Sequence, residues 1–133
     1  MSQSVLHVVA YAVVQNQQLL TVRKKNTRKF MFPGGKYQPG ESAEVAIQRE
    51  VREELSCEVD MATLTLLGKF STAAANEANT QLLATVFQGG LTAIPRASSE
   101  IAELRWIPIM AKDYTVELAP LLTEWVLPYL RTV

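Results

Sequence analysis

Apolar residues fall along this chain in two rhythms. "VLHVVAYAVV", residues 5–14, is dense in β-branched side chains and predicts a strand. The polar "QNQQ" that follows reads as a turn, and "QLLTVR" as the hairpin partner. Residues 24–31, "KKNTRKFM", form a basic loop. "FPGGKYQPGE" holds two Pro and three Gly within ten residues, which predicts a structured loop. The rhythm then changes: Ala43, Ile47, Val51 and Leu55 recur every four residues and predict a helix over 42–55 with Ser42 as N-cap. "MATLTLLGKFS" and "TQLLATVFQGG" predict two more strands joined across "AAANEAN", and "IAELRWIPI" another. "VELAPLLTEWVLPYL" predicts a closing amphipathic helix, with Pro120 near its start and Pro128 weakening its end. No repeat, low-complexity tract or linker interrupts this order, so residues 1–133 read as one domain. Strands, helix, strands and helix in that sequence favour an α+β fold, a mixed β-sheet sandwiched between helices.

The first helix carries an unusual charge pattern. Glu50, Glu53 and Glu54 stand at i, i+3 and i+4, on one side of the helix. At 100° per residue, Glu50 and Glu54 fall beside Ala43 on the edge of the apolar stripe, and Glu53 lies further from the core. At least one carboxylate is therefore expected to be partly desolvated. The alternative is a solvated face in which Arg49 and Arg52 offset the acids, since like charges at this spacing cost only about 0.2–0.5 kcal/mol per exposed pair.

Composition narrows the setting. The 133 residues are 48% hydrophobic and 20% charged, a globular mixture. No apolar run approaches the ~18 residues of a membrane span, and the N-terminus lacks the basic region and cleavage pattern of a signal peptide. Cys57 is the only cysteine, which excludes an internal disulfide and suits a reducing, cytoplasmic location. The 13 basic and 13 acidic residues balance, but they are segregated. Residues 1–40 contain no acid and six bases, whereas 41–58 contain six Glu and two Arg. Zero net charge and no interleaved aromatics in the basic stretch argue against a nucleic-acid polymer as partner. Basic and acidic patches in series suit instead a polyanion and its metal ions.

Hard divalent cations take oxygen ligands from carboxylates and carbonyls. A helix with three carboxylates supplies several, and a Gly-rich loop folded against it adds a bare carbonyl from Gly34 or Gly35. In this register the residues resemble a known family. Gly35, five residues, Glu41, seven residues, then Arg49-Glu50-Val51-Arg52-Glu53-Glu54-Leu55-Ser56-Cys57 resembles the Nudix box, Gly-x5-Glu-x7-Arg-Glu-U-x-Glu-Glu-x-Gly-U, where U is a bulky aliphatic residue. Two positions depart from it: Ser56 stands for the second Gly and Cys57 for the aliphatic residue. If the helix ends there in a left-handed conformation, a non-Gly residue costs roughly 1 kcal/mol.

The resemblance implies a Nudix fold and Mg²⁺-dependent (or Mn²⁺-dependent) cleavage of a nucleoside diphosphate linked to another moiety. Glu50, Glu53, Glu54 and the Gly35 carbonyl would hold the metal. Arg49 would pair with a neighbouring Glu, and Glu41 would fix loop to helix. Glu100 and Glu103 are candidates for a base or an extra ligand outside the box, with a plain strand edge as the alternative, and Glu77 is a third. Arg23, Lys36 and Gly34 are candidates for substrate contact. Tyr37, Phe30 and Phe32 flank the motif for stacking or core packing. His7 reads as a packed or edge residue, and Trp106 and Trp125 as core anchors. "FPGGK" followed by "GE" looks most like MutT-type members, which convert nucleoside triphosphates to monophosphate and pyrophosphate. ADP-ribose and sugar nucleotides are the alternative substrates, and a non-catalytic nucleotide sensor the alternative function. Relatives are often dimers, so a homodimer is one option for the apolar closing helix.

Overall fold

The computed structural model describes residues 4–133. The first β-branched run forms β1, Ser4–Ala12. It does not continue as one strand to Val14, as the pattern predicts. The chain changes sheets at Val13, and β2 (Val14–Gln15) pairs with β3 (Gln18–Lys24) in a second sheet. An apolar run carries no mark of such a switch: Ala12 and Val13 are fully buried and Val14 is exposed, yet all three are apolar. The β2–β3 turn places Asn16 and Gln17 at φ 52° and 62°. Two consecutive left-handed residues make the turn type that matches strand twist.

β4 is the short Gly34–Lys36, followed by α1 (Ala43–Leu55), β5 (Thr65–Ala73), β6 (Thr80–Gln88) and β7 (Ile101–Pro108). One sheet runs β4-β1-β6-β5, and the other β2-β3-β7. The first is mixed: β1 lies parallel to β6 and antiparallel to β4, and β5–β6 is the long hairpin. β5 begins four residues later than its apolar run, because Asp60 caps a turn over the intervening residues, accepting from the Ala62 amide at 3.2 Å.

Alternation along β1 builds the two cores. Val9 and Tyr11 pack with Ile47, Val51 and Leu55 of α1. Ala10 and Ala12 pack with Leu121, Leu122 and Val126 of the closing helix. The mixed sheet is thus sandwiched between helices, and the fold is α+β. The closing helix starts later than predicted. Phe30 donates to the Glu117 carbonyl and accepts from the Ala119 amide, both at 2.8 Å, which holds this stretch extended until Pro120. Leu122–Val126 then widens to a π-turn that runs into α2, Leu127–Leu130. Pro128 lacks the amide an α-turn needs, and the wider turn relieves its ring against the preceding carbonyls. Trp125 is not a core anchor. It is 44% exposed, tilted against Phe70, with its indole N–H donating to the Ser71 carbonyl at 3.0 Å. No helix among the described residues is long and apolar enough to cross a membrane.

Candidate active site

The Gly loop and α1 meet face to face. Ser42 caps the helix by accepting from the Val45 amide at 3.2 Å. Upstream, Gly34 and Gly35 pair with Ala10 and Val9 of β1. Gly34 has φ +147°, and a Cβ there would collide with the Val9 carbonyl oxygen. A Cβ on Gly35 would collide with the Glu50 carboxylate. Both glycines are therefore required by close approach, and Gly35 leaves a seat that Glu50 fills.

Burial separates the three carboxylates. Glu54 is 1% exposed, Glu50 is 8%, and Glu53 is open to solvent. The Glu54 Oε1 accepts from the Gly34 amide at 2.9 Å, while its Oε2 is buried with no hydrogen-bond partner. Burial pushes the Glu54 carboxyl up to about 8, against the opposing pull of the Gly34 amide; the Glu50 charge adds to the rise. Burial also raises Glu50, with Arg49 opposing the rise and Glu53 adding to it. An orphaned buried carboxylate oxygen costs roughly 1–3 kcal/mol or more, which calls for a function or a ligand.

Arg49 straps loop to helix. Its Nε and Nη2 donate to the two Glu41 oxygens at 2.7 and 2.9 Å, and Nη2 also donates to the Lys36 carbonyl at 2.9 Å. Nη1 lies 3.4 Å from both Glu50 and Glu53 oxygens. Glu41 also accepts from the Gln38 amide at 2.7 Å, and the Arg49 guanidinium beside it holds its carboxyl below the ordinary value. The other end of α1 is held by the chain leading to β7. Ser98 and Arg96 donate their amides to the carbonyls of Glu54 and Leu55 at 3.0 and 2.9 Å. Ser56 then closes the helix at φ 54°, ψ 33°, the left-handed geometry that glycine would adopt without strain.

A cavity of about 480 Å³ opens beside this assembly, lined by Gly34, Gly35, Lys36, Arg49, Glu50 and Glu53 among others. Glu100 also lines it, its carboxylate 3.4 Å from the Lys24 ammonium. So does Glu77, 3.8 Å from Lys36, and Tyr37, whose hydroxyl meets the Thr85 hydroxyl at 3.3 Å. Glu41, Glu54, Phe30, Arg23 and Glu103 are absent from the cavity lining. Arg23 turns to the Thr27 carbonyl at 3.0 Å and to Glu103 at 3.5 Å, outside the cavity lining. Glu103 also takes Arg105 at 2.8 Å. Lys24 stands at the cavity where Arg23 was expected. It shares a strand face with Leu20 and Val22, which both pack in the α1 core. That alternation was the available signal for Lys24.

Among the described residues, no three acidic, His or Cys side chains form a ready metal-binding group, and Glu53 is drawn toward Arg49. Even so, the donor set fits a hard divalent cation: an orphaned buried carboxylate oxygen, a second buried carboxylate seated on Gly35, and the Gly34–Gly35 backbone beside them.

Comparisons with known proteins give the family and the fold. The model of the NUDIX domain matches residues 5–125. A Bacillus subtilis (strain 168) protein provisionally named an 8-oxo-dGTP diphosphatase is 47% identical over 47 residues, which covers 34% of this chain and 32% of that protein. The matched stretch is thus about a third of that relative's length. The crystal structure of a MutT NUDIX hydrolase from Burkholderia pseudomallei superposes with a TM-score of 0.71 at 22% identity, covering 86% of this chain and 91% of that one. A MutT protein from Methanosarcina mazei Go1 gives a TM-score of 0.67 at 25% identity, covering 82% and 80%.

Proposed function

Since the chain belongs to the NUDIX domain family, we propose that it is a metal-dependent pyrophosphohydrolase that cleaves the diphosphate linkage of a nucleoside diphosphate derivative, with a nucleoside triphosphate as first-choice substrate. The observation that carries this reading is Glu54: a carboxylate 1% exposed with one oxygen unpartnered, facing a Gly loop and flanked by a second buried carboxylate. Native folds rarely leave such an oxygen without a partner, so it points to a ligand. Mg²⁺ held by Glu50, Glu53, Glu54 and the Gly35 carbonyl would supply charge to the phosphate oxygens and lower the pKa of a bound water.

The chain's own residues supply the rest. Lys36 and Lys24, both on the cavity wall, attract the phosphates as point charges. The Gly34 backbone keeps the loop close enough for a phosphate to lie against it. Arg49 holds Glu41, Glu50 and Glu53 in register and so acts as a positioning residue. Glu100 takes a proton from the attacking water, whose oxygen bonds to phosphorus as the bond to the leaving phosphate oxygen breaks. With a triphosphate the products are a nucleoside monophosphate and pyrophosphate. Hydrolysis of ADP-ribose or a sugar nucleotide would use the same end of the cavity. We take the site to work within one domain on small nucleotides, needing neither membrane nor nucleic-acid polymer.

The test is a substrate panel in Mg²⁺ with products identified by mass: nucleoside triphosphates, 8-oxo-dGTP, ADP-ribose, a sugar nucleotide and a dinucleoside polyphosphate. Pyrophosphate release from triphosphates supports the reading. Nucleotide binding without cleavage of any member would replace it with a sensor function.

A further inference from the structure

The cavity has two chemically different ends, and β4 separates them. β4 is only three residues long and forms the edge of its sheet, and the cavity lining draws residues from both faces of that sheet. On the α1 face stand Glu50, Glu53, Lys24 and Glu100. On the opposite face the walls are Leu6 and Val8 of β1, their β6 neighbour Leu82, Phe32 and Leu121. Val8, Leu82, Phe32 and Leu121 belong to the apolar cluster under the closing helix.

Buried polar side chains are scarce at that second end. The buried polar side chains among the described residues are Thr21, Glu50, Glu54, Thr72 and Thr80, and of these only Glu50 lines the cavity. Gln38, Asn76 and Glu77, which also line the cavity, are exposed, and the half-buried Tyr37 spends its hydroxyl on Thr85 at 3.3 Å. Tight discrimination between bases needs buried, pre-positioned donors and acceptors that a wrong base leaves unpaired; such sites reject analogues by roughly 10⁴–10⁵-fold. An apolar pocket reading shape alone manages only about 10–200-fold.

We infer that the aliphatic end takes the nucleobase by shape and leaves its hydrogen-bonding edge unread, so that the enzyme is base-tolerant across purine and pyrimidine triphosphates. This rests on the proposed pyrophosphohydrolase reading. The 8-oxo group of an oxidised guanine is then a shape difference, and 8-oxo-dGTP is cleaved beside dGTP and not instead of it.

Steady-state kcat/KM for dATP, dGTP, dCTP, dTTP and 8-oxo-dGTP tests this on the unmodified protein. All five values are expected to lie within about 200-fold of one another. One base preferred by more than roughly 10³-fold would overturn base tolerance while leaving the pyrophosphohydrolase reading intact. No cleavage of any triphosphate would overturn both. A Leu82→Trp variant locates the pocket: added bulk should raise KM for every nucleotide at least about fivefold, yet leave competitive inhibition by inorganic tripolyphosphate unchanged. Unchanged KM for every nucleotide would show that the base lies elsewhere.

Discussion

Replacing Glu54 with Gln should flatten the pH dependence of metal-free stability. The Glu54 carboxyl titrates near 8 in the folded chain against an ordinary 4.5. Its folded pKa is raised, so between these values the folded state binds more protons than the unfolded state. Stability then falls as pH rises through that window, by up to about 1.4 kcal/mol per pH unit. Near the upper end the slope eases, and from about pH 6 to about pH 8 the loss comes to roughly 2 kcal/mol. In a chain of this size that is a fall of about 6–10 °C in Tm. A Gln amide oxygen can keep the Gly34 hydrogen bond, but its NH₂ group takes the place of the orphaned Oε2 and needs an acceptor. Absolute stability therefore mixes two effects, and the slope isolates one. Thermal melts in chelator at several pH values between about 6 and 8 make the comparison, because every other titrating group is common to both proteins. The wild type should lose the extra 6–10 °C, and Glu54→Gln should not. Parallel pH profiles would refute the claim that a buried ionisable carboxylate stands at this position.

Three further substitutions probe the assembly. Ser56→Gly relieves a left-handed non-Gly residue, so it should raise stability by about 1 kcal/mol and leave kcat unchanged; an unaltered or lower denaturant midpoint would contradict this. Gly35→Ala puts a Cβ into the Glu50 carboxylate. It should abolish the Tm rise that Mg²⁺ brings to the wild type, and a retained metal-dependent shift would show that Glu50 does not need this seat. Arg49→Lys keeps the charge but loses the paired contacts to Glu41. Its kcat should fall at least about tenfold while Tm changes by a few degrees at most, and restoration of normal kcat by Lys would reduce Arg49 to a point charge.

The legibility of this molecule in its sequence was uneven for physical reasons. The helical stripe through Ala43, Ile47, Val51 and Leu55 marked both ends of α1 closely, because Ser42 caps one end and Ser56 closes the other. The same stripe ordered the exposure of the three carboxylates, since helix angle depends only on residue number. Sheet membership was not legible. Val13 and Val14 read as one run, but Ala12 pairs with Gln88 far along the chain, while Val14 turns back to Leu19 in the other sheet. Leu118 looked helical by period and instead extends beside Phe30, a contact no local pattern records. At the cavity, Arg23 and Lys24 differ only in which face of β3 they occupy. The alternation with Val22 favoured Lys24, and a register shift at this pair carries the strand into its bulge.

The central claim is that the buried carboxylates of α1 hold a divalent cation. Direct titration of Mn²⁺ into the protein, followed by the loss of its free electron paramagnetic resonance signal, tests that claim without reference to any substrate. The wild type should bind Mn²⁺, and Glu54→Gln should bind it at least about tenfold more weakly. Equal Mn²⁺ affinity in the two proteins would contradict the account.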